Sequence, residues 1–334
     1  MSQKYDFVAI GDIVVDAFIQ LNKDAADVSQ DLDTGRMTLH MPFGSKLPYD
    51  SVAVVNAVGN SPNAAVAAHR LGLNTALLTN LGQDRYGKDC LETLRQEGIN
   101  TEYVKLHEGK FTNYHYVLRY GAERTILIKH EKFPYTLPDF AEAPRYIYFS
   151  SIGEHGLAYH HEIASYVKAN DTKLVFQPGS FQIKLGYEEL KDLYQVTDIF
   201  FCNKEEAQEI LKTKEQHVPT LLRKFKELGP HLPVITDGPG GAYVVDEDDQ
   251  AWHMPMYPDP APPVDRTGAG DSFSSTFTAA IALGKTPAEA LAWGPINSMS
   301  VVQNIGAQAG LLTRAELENY LANRPADYQA ETIK

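Results

Sequence analysis

Val264-Asp265-Arg266-Thr267-Gly268-Ala269-Gly270-Asp271-Ser272-Phe273 is the stretch that decides how this chain is read. It follows a Pro-rich loop, Pro258 to Pro263, and opens a run in which Phe273, Phe277 and Ile281 recur at helical spacing. Glycines just ahead of a helix remove side chains where a backbone must come close to a ligand. The free N–H groups of the helix start, reinforced by its dipole, form a ready anion site. Asp271 stands in the first turn, where a carboxylate can take a proton from an attacking hydroxyl. Taken alone, the string reads equally well as a glycine turn and a helix cap. Its surroundings decide between the two.

Outward from this segment, short β-rich apolar runs alternate with helical patterns. Strands are expected at 7–10, 75–78, 146–149, 174–176, 199–202 and 234–236. Helices are expected at 62–71, 84–97, 157–169, 187–195, 203–212 and 218–228. Strands joined by helical crossovers run parallel and need cover on both faces. The expectation is therefore an α/β fold with a ligand site beyond the carboxyl ends of its strands.

Two stretches break this grammar. Residues 22–51 have little periodicity and contain Gly35, Pro42, Gly44 and Pro48, and 111–130 reads as a hairpin around Tyr120-Gly121-Ala122. Strands outside the main sheet bury little on their own, so they should cover an active site or a partner subunit. We expect lid segments at 16–51 and 111–130, with 1–15, 52–110 and 131–334 forming the large domain. The tail from about Pro325 reads as loosely held.

Composition narrows the partners. With 43 acidic against 30 basic residues the net charge is −13, which argues against nucleic acid. Cys90 and Cys202 show no metal-binding or disulfide spacing and fit buried thiols in a reducing, cytoplasmic setting. The start of the chain lacks a basic-then-apolar leader, and no apolar run approaches the ~20 residues of a membrane span. A dinucleotide-dependent oxidoreductase is disfavoured because Gly11 alone follows the first strand where a glycine fingerprint would stand.

The 264–273 segment resembles the carboxy-terminal signature of the ribokinase-like, or PfkB, carbohydrate kinase family, Asp-Thr-Xaa-Gly-Ala-Gly-Asp, with Arg266 in a place often held by Thr. In that family the Gly-Ala-Gly backbone is the anion hole and the Asp is the catalytic base. The resemblance therefore implies those roles for Gly268, Ala269, Gly270 and Asp271. Other segments agree in order from about residue 5 to residue 322. Asn203-Lys204-Glu205-Glu206 is similar to the family's Asn-Xaa-Xaa-Glu motif, which implies Asn203 at the nucleotide phosphates and Glu206 at Mg²⁺ and its waters. Thr236-Asp237-Gly238-Pro239-Gly240-Gly241-Ala242 looks like the nucleotide loop, implying Thr236, Gly238 and Gly241. Asn297 is placed like a residue flanking the adenine.

For the phosphoryl acceptor, the resemblance implies Asp12 and Asp16 in Gly11-Asp12-Ile13-Val14-Val15-Asp16. It also implies Gly59 and Asn63 in Gly59-Asn60-Ser61-Pro62-Asn63, where Asn60 replaces the second glycine of the family motif. Gln177-Pro178-Gly179 stands where many relatives carry an Asp-Xaa-Asn-type stretch, a departure on the acceptor side. The implied fold is a three-layer α/β/α sandwich with a central, mainly parallel sheet and a small β lid. The implied activity moves the γ-phosphate of ATP to a sugar hydroxyl, with a nucleoside kinase on the same scaffold as the alternative. The implied cofactors are ATP and Mg²⁺, with K⁺ left open. A homodimer through the lid is the expected assembly, since relatives occur both as monomers and as lid-paired dimers.

Overall fold

The computed structural model describes residues 4–32, 35–121 and 123–334, so the first three residues and Ala122 of the expected hairpin turn lie outside the described residues. In chain order the strands are β1 (Phe7–Ile10), β2 (Val14–Leu21), β3 (Asp27–Gln30), β4 (Met37–His40), β5 (Tyr49–Val58), β6 (Thr75–Gly82), β7 (Val104–His107), β8 (Asn113–Tyr120), β9 (Glu123–Leu127), β10 (Tyr146–Phe149), β11 (Lys173–Phe176), β12 (Thr197–Asn203), β13 (Leu232–Thr236), β14 (Ala242–Val245), β15 (Ala251–Met254) and β16 (Glu331–Ile333). The helices are α1 (Asn60–Arg70), α2 (Arg85–Gln96), α3 (Leu157–Ala169), α4 (Ser180–Leu185), α5 (Lys191–Gln195), α6 (Lys204–Ile210), α7 (Val218–Leu228), α8 (Ala269–Ala282), α9 (Pro287–Val301) and α10 (Arg314–Ala322).

The central sheet has the order β16-β15-β14-β13-β12-β11-β10-β1-β6-β7. From β7 to β13 every pairing is parallel, and β14, β15 and β16 continue it antiparallel. The residues of β1 and β10 are all buried, and alternate side chains feed opposite cores because successive Cβ atoms point to opposite faces. Phe7, Ala9, Tyr146 and Tyr148 join a core with residues of α1, α2, α8, α9 and α10. Val8, Ile10, Ile147 and Phe149 join one with α3, α5, α6 and α7. The result is a three-layer α/β/α sandwich.

The chain leaves β1 for β6 and β7 on one side, then returns to β10 and works outward to β13 on the other. The switch point lies between β1 and β10, where the loops after neighbouring strands part and leave a crevice. Gly11-Asp12, Gln177, the Asn203–Glu206 motif and the Thr236–Gly241 loop follow β1, β11, β12 and β13, and α1 and α8 start beside them, Gly59 against Asp12 and Asp271 against Gln177.

A separate sheet, β5-β2-β8-β9, stands beside this body, with β3 and β4 pairing as a hairpin. Strand β5 continues past the boundary expected at residue 51, pairing with β2 as far as Val58 opposite Val14. The helix expected at 187–195 forms only in its last part. The chain instead makes the short α4, ended by Gly186 at φ +81°, before α5. The tail is also better held than expected. Tyr328 is 2% exposed, its hydroxyl donates to Ala292 O at 2.6 Å, and β16 pairs with β15. Cys90 and Cys202 are free and buried, and among the described residues no helix is long and apolar enough to cross a membrane.

Candidate active site

Helix α8 begins without a side-chain cap. Its N-cap is Gly268, in the left-handed region at φ +82°, so first-turn N–H groups stay open to a ligand. The two glycines here answer different demands. A Cβ on Gly268 would lie 2.3 Å from Ala307 Cβ, whereas one on Gly270 would meet nothing within 4 Å. The fold itself requires Gly268. At Gly270 no contact with another part of the fold calls for a glycine. Gly268→Ala is accordingly expected to cost about 2–4 kcal/mol in denaturant unfolding, from left-handed strain plus overpacking.

Asp265, just upstream, is buried and ties two loops together. Its Oδ1 accepts from Thr267 N (3.1 Å) and Oγ1 (2.8 Å), and its Oδ2 accepts from Gly306 N at 3.0 Å.

Asp271 is held by three amides, two from α1 and one from the segment that follows β11. Asn60 Nδ2 donates to Oδ1 at 2.8 Å, Gln177 Nε2 to Oδ1 at 3.2 Å and Asn63 Nδ2 to Oδ2 at 2.9 Å. Neighbours orient two of these amides. Gln177 Oε1 accepts from Tyr148 and from Ser274 Oγ, which turns its NH₂ toward Asp271. Asn63 Oδ1 accepts from Gln308 Nε2 at 3.0 Å, with the same effect. Burial raises the Asp271 pKa above the ordinary carboxylate value, and the hydrogen bonds from Asn63, Gln177 and Asn60 and the charge of Arg124 pull it back. A carboxylate offers about four acceptor positions, so three donors leave room for one more, such as a substrate hydroxyl.

Asn60 thus does what its family position does not foreshadow: it adds a donor to Asp271. The left-handed conformation falls on Gly59 instead, at φ +125°, where a Cβ would lie 2.7 Å from Asp12 O. Gly59 serves close packing of α1 against the end of β1. Gln177 and Asn60 carry no local motif that marks them as partners of Asp271; only the placement of β11 and α1 beside α8 does.

On the opposite side of Gly270, Asn203 and Glu206 form a reciprocal cap at the start of α6. Glu206 N donates to Asn203 Oδ1 (2.8 Å) and Asn203 N to Glu206 Oε2 (2.9 Å). Burial raises the Glu206 pKa, and the charges of Glu205, Glu209 and Asp271 add to it, so a cation there would relieve real repulsion. Lys204 Nζ bonds Asp237 Oδ2 at 3.1 Å, pinning this turn to the Thr236–Gly241 loop. Asn203, Glu206, Thr236, Gly238 and Gly270 line one cleft, which continues past Gly241 to an apolar end walled by Met256, Tyr257, Met299 and Val302. Among the described residues no cluster of three or more His, Cys, Asp or Glu side chains comes together as a metal cage.

Asn297 corrects an expectation. It is fully buried, its Nδ2 donates to Thr276 Oγ1 at 2.8 Å, and its Oδ1 accepts from Leu312 N at 2.9 Å. Its amide is spent on joining α9 to α8 and to the loop before α10, and its neighbours Ser298 and Met299 face the cleft instead.

On the acceptor side, Asp16 and His115 are cross-strand partners in β2 and β8. His115 Nδ1 lies 3.4 Å from Asp16 Oδ1, within ion-pairing range but without hydrogen-bond geometry. Asp16 Oδ1 and His115 Nε2 are both buried without a hydrogen-bond partner. Buried polar atoms of this kind can still take a hydrogen bond, from water or from a ligand hydroxyl. Asp12 differs. Tyr135 Oη donates to its two oxygens at 2.9 and 3.1 Å, and His130 Nδ1 lies 3.2 Å from Oδ2, so this carboxylate anchors the 130–135 segment. The small sheet rests on the loops beside the anion site. Arg119 Nη2 donates to Val264 O at 2.8 Å, and a Cβ at Gly306 would come within 3.5 Å of Val55.

The sequence profile described as pfkB family carbohydrate kinase matches residues 45–314. The chain belongs to the pfkB carbohydrate kinase family. The ribokinase of Bacillus subtilis (strain 168) is 27% identical over 274 residues, 79% of this chain and 87% of that protein. The solved structure of Arabidopsis thaliana ribokinase complexed with ribose and ATP superimposes with a TM-score of 0.77 at 19% identity, covering 96% of this chain and 99% of that one. The nucleoside kinase of Methanocaldococcus jannaschii, described as an archaeal member of the ribokinase family, gives 0.76 at 18% identity, covering 97% and 100%. Like other pfkB kinases, this chain has the ribokinase fold and is a sugar or nucleoside kinase.

Proposed function

We propose that this kinase transfers the γ-phosphate of ATP to a sugar hydroxyl, with Asp271 as the base. The observation that carries the reading is a desolvated carboxylate, oriented by three amides, beside an uncapped helix N-terminus kept clear by Gly270. The acceptor hydroxyl takes the remaining acceptor position on Asp271 and gives up its proton as it attacks. The N–H groups of Ala269 and Gly270 face the charge that develops on the transferred group. Asn203, Thr236, Gly238 and Gly241 lie along the nucleotide, and the apolar end of the cleft takes the base. Mg²⁺, when bound, neutralises phosphate charge; Glu206 is the side chain suited to hold it, with water and phosphate oxygens supplying the other ligands.

The small sheet serves as a lid, with Asp16, His115 and Asn63 reading acceptor hydroxyls. The nucleoside alternative calls on lid aromatics to stack a base. Tyr114 and Tyr116, however, alternate with His115 along β8 and so project from the opposite face of the sheet. That favours a sugar. The same outward face exposes Tyr49, Val52, Val54, Tyr116 and Leu127, an apolar surface suited to pairing two lids in a homodimer. A K⁺ site beside the Asp265-tied loops is a further part of the proposal, read by comparing turnover in K⁺ and Li⁺. The chain works in a reducing, cytoplasmic setting where its two thiols stay free.

Coupled ADP release with Mg·ATP against ribose, fructose, 2-keto-3-deoxygluconate, fructose 6-phosphate, adenosine, inosine and cytidine tests this reading. One sugar acceptor is expected to dominate. Preferred turnover of a nucleoside would replace the sugar assignment, and nucleotide binding without turnover on any of them would sink it.

A further inference from the structure

Two arginines face each other across the small sheet with no acidic partner among the described residues. Arg119 and Arg124 are directly opposite in the antiparallel β8–β9 pair, where Cβ atoms stand about 5 Å apart and like charges destabilise. Arg119 is 9% exposed and is held by the Val264 carbonyl, a neutral partner. Arg124 makes no hydrogen bond and no ion pair among the described residues, and its Nε is buried without a partner. Acidic residues outnumber basic ones by 43 to 30 in this chain, so two guanidiniums left without a carboxylate are out of keeping with its composition. Leaving a guanidinium N–H buried and unpaired is costly unless something outside the chain completes it.

The face on which they stand narrows what that is. Strand alternation puts Arg119 on the side of β8 that carries His115 and Val117, and cross-strand pairing puts Arg124 on the same side. This side meets the 264 loop through Arg119, and that loop leads into the anion site at Gly268–Gly270. Asp271 takes its hydrogen bonds from three amides and forms no ion pair with Arg124, although the Arg124 charge reaches it. A planar guanidinium fork matches phosphate oxygens two at a time.

We propose that Arg124 reaches from the small sheet over the catalytic cleft to bind a phosphate oxyanion, with Arg119 fixing the strand that presents it. This rests on the kinase reading in that the cleft is taken to handle phosphoryl groups. Two sources share the chemistry: the γ-phosphoryl group of ATP, or a phosphate ester already carried by the acceptor.

The test uses the full chain as wild type, Arg124→Gln and Arg124→Lys. Inorganic phosphate is titrated by calorimetry in saturating Mg·ADP and, separately, in a saturating non-hydrolysable ATP analogue. Arg124→Gln should weaken phosphate binding at least about 10-fold, the scale of one lost charge-assisted bond, and leave Mg·ADP affinity within about twofold. Arg124→Lys should fall between, having the charge without the fork. Phosphate binding that the ATP analogue abolishes identifies the γ-phosphoryl position, and binding that persists identifies a phosphorylated acceptor. Equal phosphate affinity in wild type and Arg124→Gln, or no phosphate binding to wild type in either state, overturns the inference. Failure of Mg·ADP to bind would sink the kinase reading instead. In that case Arg124-dependent binding of phosphate alone upholds the inference, and its absence ends it. Because Arg124 makes no hydrogen bond or ion pair among the described residues, its substitution should leave the melting temperature unchanged or raise it as the like-charge pair is removed.

Discussion

Asp271→Asn is expected to bind Mg·ATP as the parent does and to turn over about 10²–10⁴-fold more slowly, the range lost with a general base. The surroundings of the residue sharpen this. Three amide donors and one free acceptor position describe a carboxylate placed to receive a proton, and asparagine would turn an NH₂ toward donors already aimed there. Turnover within a few-fold of the parent would remove Asp271 from the role of base. The pH profile gives a second reading of the same group. A base must be deprotonated to act, so activity falls as pH drops through its pKa. Because burial raises that pKa, the acid limb of kcat/KM should lie above where an ordinary aspartate would put it. Gln177→Ala removes a donor that favours the ionised form and should move the limb higher still. A limb that moves down would contradict the assignment.

Gly270→Val should produce the second large loss. Removing one donor from a comparable oxyanion site costs about 10²–10³-fold in kcat, and a branched side chain would fill this one. What makes the variant informative is its expected stability. Apart from its own helix turn, no described residue comes within 4 Å of the added Cβ, and valine is a better helix former than glycine, so thermal unfolding should be unchanged or slightly improved. Gly268→Ala gives the opposite pattern, with lost stability from the Ala307 clash. An inactive but stable Gly270→Val beside a destabilised Gly268→Ala would separate the glycine kept for the ligand from the one kept for the fold. Full activity of Gly270→Val would mean that no anion is held at this helix start.

Much of the fold is legible because buried parallel strands must be apolar on both faces. Runs such as Phe7–Ile10 and Tyr146–Phe149 announce themselves in the sequence, and α3 and α7 form over the residues their periodicity marks. The helix start at 268–271 is legible for a related reason: its glycines and acid are adjacent in sequence. Asn60 and Gln177 are not legible, being 211 and 94 residues from the aspartate they touch; a lone amide carries no periodic or spacing signal. Asn297 fails in the reverse sense. The resemblance places it beside the adenine, but only packing reveals that Thr276 and Leu312 consume its amide. Arg124 and His115 lie in between. Alternation shows which residues share a face of a hairpin, but the register that sets Asp16 against His115 joins segments 99 positions apart and exists only once the sheet has formed.

Strand β16 touches no part of the site, yet it shapes how this molecule behaves among its neighbours. Glu331–Ile333 lie along β15 at one margin of the central sheet and occupy backbone groups that an adjoining molecule would otherwise be free to claim. The sheet therefore ends on three residues rather than on the longer β15, and so short a margin, opening on the charged Glu331, gives another chain little backbone to pair with.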